Sequence, residues 1–285
     1  MNLTDRWQGQ SIAIATMHHK EQVLGPAVER AWGLRPIVPP EFDTDCFGTF
    51  TRDRDRPGDQ RATARTKAIA ALEATGAAIA LASEGSFGPH PALPFAAVNY
   101  ELVLLLDRAS GLELVGEALS LETNYRQETV RDLAAVDRFA QQVGFPDHGL
   151  VVSLGNPAQS PSVVKGIRDP ATLRDVAADY LARSPDGTLW LETDMRAMHN
   201  PRRMQVIAQA MDNLLEKAQS ACPDCGWPGF WITQRLPGLP CEACGWPTAL
   251  VRLHRWTCEH CGHQRSDDFP QGQTADPAHC PACNP

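Results

Sequence analysis

Eight of the nine cysteines fall within the last 64 residues, as four Cys-x-x-Cys pairs: Cys222/Cys225, Cys241/Cys244, Cys258/Cys261 and Cys280/Cys283. Each pair sits in a short knuckle followed by Gly or Asn (CPDCG, CEACG, CEHCG, CPACN), where a residue that tolerates positive φ lets two thiolates converge on one tetrahedral ion. Four such pairs provide two four-cysteine sites, and zinc is the ion this donor set selects. The chain opens without a signal-peptide pattern, so we expect reduced thiols, metal rather than disulfides, and a cytoplasmic location. Pairs adjacent in sequence need only short loops to meet. The expected grouping is therefore Cys222/Cys225 with Cys241/Cys244 and Cys258/Cys261 with Cys280/Cys283, with crossed or nested groupings as the alternatives. Saturated sites have no open coordination position, so they stabilise rather than catalyse. The cysteines thus divide the chain near Ala221 into a domain of residues 1–220, which must carry any chemistry, and a zinc-ribbon domain of residues 221–285.

No apolar run approaches the ~20 residues a membrane helix requires, so we expect no membrane partner. The net charge of −8 disfavours a protein that grips nucleic acid mainly by phosphate neutralisation, although a local basic patch is compatible with it. Within the tail, Arg235, Arg252, Arg255 and Arg265 face six carboxylates. Its Trp227, Trp231, Trp246 and Trp256 are candidates either for stacking bases or for the miniature core of a ribbon with little else to bury.

Upstream of the tail the pattern alternates. SIAIATM (11–17) reads as a buried strand, followed by a helical stretch to about Trp32 and an extended RPIVPP. Asp59 is an N-cap for a helix that Gly76 ends. A second apolar strand, AIALAS, leads into a loop beginning at Glu84, and ELVLLLD-RASG-LELVGEALSLE reads as an antiparallel hairpin. A helix (about 126–143), a strand (about 149–153), a loop, a helix (about 170–183), the strand TLWLETD and a long helix (about 201–219) complete the domain. The expected class is α/β, with a mixed sheet flanked by helices.

Three clusters carry candidate chemistry. The first strand ends in Thr16-Met-His18-His19-Lys20 directly before a helix, where free amides and the helix dipole favour anions; a solvated turn is the alternative. Glu84 stands beside glycine at the end of the next apolar strand and suits a magnesium ligand, with Asp43 and Asp45 as further donors. A capping carboxylate is the plainer reading. The third cluster, Arg196 to Arg203, gathers His199, Arg202 and Arg203 around Asn200-Pro201, a good N-cap and first helical residue. It is a candidate anion site or, equally, a capped helix with solvated arginines and an internal Asp–Arg pair. Cys46 reads as a small buried residue, and His90, between prolines, as a loop former.

With these clusters in view, residues 1–220 resemble the house-cleaning nucleoside triphosphate pyrophosphatases of the inosine triphosphatase and Maf group. SIAIATMHHK is similar to that group's phosphate-binding opening strand, and ATARTKAIAALEATGAAIALASEGSFG to its Ala-x-x-Lys-Ala helix and acidic metal-binding turn. LVLLLDRASGLELVGEAL is similar to its central hairpin, and MHNPRRMQVIAQA to its late Ser-His-Arg helix. The resemblance implies an inosine triphosphatase-like fold. It also implies that Lys20 meets phosphate, Glu84 holds magnesium, and His199 with Arg202 or Arg203 contacts the base or triphosphate. This sequence departs from the pattern in having His18 where asparagine is expected, a single Glu84 in place of an acidic pair, and Ala62 where a glutamate precedes the helix. Over its full length the chain also resembles an uncharacterised bacterial family, DUF6671, through DTDCFGTFTR, ASEGSFGPHP, WLETDMRAMHNPRRM and GLPCEACGWPT.

The expected function is thus a magnesium-dependent nucleotide-binding protein with nucleoside triphosphate pyrophosphatase activity, acting on a nucleotide or other phosphorylated small molecule. Glu84 and Lys20 would be its catalytic residues, and Thr16, His18, Arg196, His199, Arg202 and Arg203 would bind substrate. The alternative is a non-catalytic nucleotide sensor, or a zinc-ribbon protein that binds RNA or another protein. A homodimer is compatible with either.

Overall fold

The computed structural model describes residues 3–44, 59–90, 93–157 and 160–285, so Asp45 and Cys46 lie outside the described residues. Its internal contacts divide the chain into two units, Thr4–Leu214 and a second made of Leu215–Pro285 together with the first residues up to Leu3.

The larger unit opens with a short helix α1 (Leu3–Trp7), β1 (Ser11–Ala15), α2 (Glu21–Trp32), β2 (Arg35–Ile37) and α3 (Gln60–Thr75). As expected, the Asp59 side chain caps α3 by accepting from the Ala62 amide at 2.7 Å, and Gly76 ends it in the left-handed region at φ 70°. Two long strands follow, β3 (Ile79–His90) and β4 (Leu93–Asp107), and then β5 (Leu112–Ser120). They form a five-stranded mixed sheet in the order β2-β1-β3-β4-β5, parallel from β2 to β3 and antiparallel beyond. The hairpin of β4 and β5 is the expected one. Helix α3 packs its Ala64, Ala68, Ala71 and Leu72 on one face of this sheet, against Ala80, Ala82, Leu102 and Leu104. Alanine at these helical spacings lets the helix axis approach the strands closely.

The segment expected as a loop from Glu84 onward is instead the outer half of β3. Its serine, glycines and proline read locally as a loop, but all of Ser83–Pro89 pairs with Ala97–Val103 of β4, and the backbone ladder overrides side-chain preference. The expected helix from about 126 is likewise corrected: β6 (Gln127–Val130) precedes α4 (Leu133–Val143), which Asp132 caps. β7 (Leu150–Ser153) lies near its expected place. The following loop contains a further strand, β8 (Val163–Ile167), before α5 (Pro170–Arg183) and β9 (Leu189–Thr193). These four strands form a second, antiparallel sheet ordered β6-β9-β7-β8, so the unit holds two sheets where one was expected. The second core is built from α4 (Val136, Phe139, Val143), α5 (Leu173, Ala177, Tyr180) and the inward residues of β7 and β9.

Helix α6 (Pro201–Gln219) closes the unit. As expected, Asn200 caps it, its side-chain oxygen accepting from the Arg203 amide at 3.0 Å. The helix lies on β5 at Gly116, where a Cβ would fall inside the Ala210 carbonyl and the Leu214 backbone. Among the described residues no helix is long and apolar enough to cross a membrane.

The smaller unit is a three-stranded antiparallel sheet of β10 (Trp231–Pro237), β11 (Val251–Thr257) and β12 (Gln264–Asp268), with one Cys-x-x-Cys knuckle before β10, one after β10, one after β11 and one beyond β12 near the chain's end. Trp227 and Trp256 pack on Cys222, Phe230 and Cys258 as the miniature core the sequence suggested, whereas Trp246 does not.

Candidate functional site

β1 pairs with β3 only as far as Ala15 and Ala82, so from Ser83 onward β3 runs past the end of β1 and a gap opens in their pairing. The chain leaving β1 turns across this gap. Thr16 Oγ1 accepts from the amides of His18 (3.1 Å) and Lys20 (3.4 Å), and His19 takes φ 59°, which buries His18 and Lys20 and leaves His19 exposed. The Lys20 ammonium donates to the Ser83 carbonyl (3.2 Å) and hydroxyl (2.9 Å), replacing the strand pairing that β1 no longer supplies.

Because strand side chains alternate, Glu84 and its neighbours serve opposite faces of the sheet. Glu84 points to the α3 face and forms an ion pair with Lys67, both side chains being buried. On the other face Gly85 stands opposite Glu101 of β4, and the missing Cβ leaves the space that the Glu101 carboxylate occupies. Glu101 accepts from Arg203 Nε (2.8 Å) and Nη2 (3.4 Å), while Nη1 donates to the Met195 carbonyl at 2.6 Å. Both partners of this pair have fully buried side chains. The Arg203 guanidinium also lies 5.6 Å over the Phe87 ring, which stacks on Tyr125.

Among the described residues, three buried cations (Lys20, Lys67, Arg203) therefore converge with two buried carboxylates (Glu84, Glu101) at the end of β1. The excess positive charge is felt by its neighbours. Lys20 is lowered to about 7, chiefly by burial and then by Arg203, against the opposing pull of Glu84 and Glu101. His18 is lowered to about 3 by burial and by Lys20, Arg203, Arg196 and Lys67, so it is a neutral imidazole at ordinary pH. Beside Thr16 opens a pocket of about 520 Å³ lined by Met17, Val38, Pro39 and Phe42 as well as by Glu21, Glu41 and Asp43.

Of the expected site residues, Thr16, His18, Lys20, Glu84 and Arg203 come together here, and Asp43 lines the pocket. The arginine cluster takes the plainer of the two forms the sequence allowed, a capped helix with an internal Asp–Arg pair. Arg196 is held by Asp194 (Nη2 to Oδ2, 2.6 Å), Arg203 by Glu101, and Arg202 is exposed, because three cations on so short a segment are best accommodated apart. His199 sits against Gly149 and Gly166, and burial, followed by Arg196 and Arg168 against the pull of Asp194, lowers its pKa. Glu84 is mid-strand rather than on a loop. Lys67 and Glu101 received no role from the sequence. A signal existed for Lys67, which shares a helical face with Ala64, Ala68 and Ala71, where a charged residue demands a buried partner.

The cysteines form two sets, Cys222/Cys225/Cys258/Cys261 and Cys241/Cys244/Cys280/Cys283, within each of which all sulfurs lie within 4.8 Å of one another. Contacts of 3.7 Å (Cys222–Cys261, Cys225–Cys258, Cys244–Cys280) and 3.9 Å (Cys241–Cys283) exclude disulfides and match the ~3.8 Å edge of a tetrahedron with ~2.3 Å zinc–sulfur bonds. The donors thus fit two zinc ions. The expected grouping of sequence neighbours is overturned, because one strand separates each knuckle from the next and carries it to the opposite end of the sheet. Knuckles one and three share one end, where Trp231 pairs with Thr257; knuckles two and four share the other.

A profile for a domain of unknown function, DUF6671, matches residues 67–285. The chain belongs to the DUF6671 family. In this family member the match takes in Lys67, Glu84, Glu101, Arg203 and all eight paired cysteines, whereas Thr16, His18 and Lys20 precede it. No curated protein matches the chain. Among solved structures, protein VC0702 from Vibrio cholerae is similar at 11% identity with a TM-score of 0.29, over 73% of this chain and 93% of that one. That likeness is too slight to carry an inference, and none of these comparisons supports the inosine triphosphatase resemblance.

Proposed function

We propose that the larger unit binds a nucleotide through its phosphates at the end of β1 and hydrolyses it as a nucleoside triphosphate pyrophosphatase. The observation that carries the reading is the buried excess of cations, Lys20, Lys67 and Arg203 against Glu84 and Glu101, beside a pocket with apolar walls. Buried charge of one sign is costly unless an opposite charge joins it, and an anionic phosphate supplies that charge. Lys20 would meet phosphate, neutral His18 would donate an N–H without drawing on the charge balance, and Met17, Val38 and Phe42 would face the base. Water adds to the α-phosphorus and gives up a proton to solvent, the bond from that phosphorus to the α–β bridging oxygen breaks, and pyrophosphate leaves with the bonding pair, leaving the nucleoside monophosphate.

Magnesium takes carboxylate and phosphate oxygens; Glu41 and Asp43 in the pocket lining are carboxylates of that kind, and among the described residues they do not gather with Glu84 into a three-donor group. When bound it would withdraw charge from the phosphate oxygens. A binding role without turnover is the second reading, favoured by the ion pair that already engages Glu84.

Pyrophosphate release from a panel of ordinary and deaminated nucleoside triphosphates with magnesium tests the proposal. Release that falls at least about a hundredfold in Lys20→Ala and Glu84→Ala is expected, a loss of the size that removing one preorganised electrostatic group produces. Binding without release supports the second reading. Neither binding nor release across the panel overturns both.

A further inference from the structure

The first two knuckles are near copies in sequence, Cys222-Pro-Asp-Cys225-Gly-Trp227-Pro and Cys241-Glu-Ala-Cys244-Gly-Trp246-Pro. They are copies in structure as well. The Cys222 amide donates to the Trp227 carbonyl at 2.8 Å and the Cys241 amide to the Trp246 carbonyl at 2.9 Å, and in both the residue before the knuckle bridges to the proline after it. The knuckles that face them differ. Trp227 stacks on His260, two residues beyond Cys258, with ring centroids 4.2 Å apart and planes 12° apart. The equivalent place, two residues beyond Cys280, is Ala282, which has no ring to offer. The indole of Trp246 is left 57% exposed.

A second observation concerns charge. All four arginines of the tail lie in its three strands, with alternation along β11 placing Arg252, His254 and Trp256 on one face. The register sets Arg235 and Asp267 beside His254, and Ile232 and Arg265 beside Trp256. That face carries three arginines, all exposed, against one carboxylate, within a tail that is acidic as a whole. Asp224, Glu242, Glu259 and Asp276 lie outside the strands, and Asp268 is on the opposite face. Arg235 and Arg252 flank the connection from β10 to β11 that presents Trp246.

We infer that this end of the ribbon binds single-stranded nucleic acid, Trp246 stacking on a base in the place that His260 fills at the other site while Arg235 and Arg252 neutralise phosphates. An open indole at the same end of the sheet as exposed cations suits such a strand, since every base has a π-face and every link a charge. The net charge of −8 is an average that does not describe this face.

Fluorescence anisotropy of the full, zinc-loaded chain with labelled oligouridine or oligothymidine of about ten nucleotides tests the inference across salt concentrations. Binding should weaken with salt at a log–log slope of about −1.4, two arginines at about 0.7 each, and the slope should flatten toward zero in Arg235→Ala/Arg252→Ala. Trp246→Ala should weaken binding about fivefold to a hundredfold with zinc content unchanged, and Trp246→Phe should restore most of it. Lys20→Ala should bind the oligonucleotide as the parent does, which separates this surface from the proposed phosphate site. Absence of binding at low salt, equal affinity in Trp246→Ala, or loss of binding in Lys20→Ala overturns the inference. The first of these outcomes would redirect the surface to a protein partner.

Discussion

Lys20 is the residue on which the candidate site turns, because it is buried, bonded to Ser83 and set among Arg203 and Lys67 as well as Glu84 and Glu101. Its pKa of about 7 lies far below the ~10.4 of an unfolded lysine, so between those values the unfolded chain holds more protons than the folded one. Stability should therefore rise with pH through that window. Anion binding reverses the preference by favouring the ammonium, so nucleotide affinity should fall as pH rises above about 7 and binding should take up a proton. Calorimetric titration in buffers of different ionisation enthalpy measures that uptake, which Lys20→Gln should abolish. Arg203 and Glu101 act differently: their fully buried pair leaves each the other's counter-charge, and removing either strands a charge at a cost of about 3–5 kcal/mol.

At the scale of elements, the site depends on how long strands and helices extend past one another. β3 outruns β1, and beyond the end of β1 the Lys20 ammonium, not a strand, meets Ser83. Helix α6 brings Arg203 to Glu101 only because β5 presents Gly116 beneath it, with no side chain to hold the helix away. Gly116→Ala should therefore destabilise the protein by about 1–3 kcal/mol in urea unfolding, the cost of overpacking a close contact, and should disturb the Arg203–Glu101 pair. Gly88→Ala, where a Cβ meets nothing within 4 Å, should stay within about 0.5 kcal/mol of the parent. Helix caps and the β4–β5 hairpin were legible in the sequence because Asp59, Asn200 and the turn RASG act through their immediate neighbours. The outer half of β3 was not, since its strand character comes from pairing with β4 rather than from its own serine and glycines.

At the scale of the molecule, the two metal sites give a direct test of connectivity. Metal analysis should return two zinc ions per chain. Cys225→Ser/Cys258→Ser removes ligands from one site and should leave one ion, whereas Cys225→Ser/Cys241→Ser damages both sites and should leave none. Grouping by sequence neighbours predicts the reverse outcome for the two variants. The sequence by itself determined that the tail carries donor pairs suited to zinc, because a Cys-x-x-Cys knuckle is a local device whose two thiolates converge whatever lies around them. It also placed His18 and Lys20 just beyond the end of the first strand. Only the tertiary structure decided which knuckles meet, since antiparallel strands carry alternate knuckles to opposite ends. It likewise decided that Lys67 and Glu101 join Lys20, Glu84 and Arg203, because burial and pairing across 102 residues of chain arise from packing that no local pattern encodes.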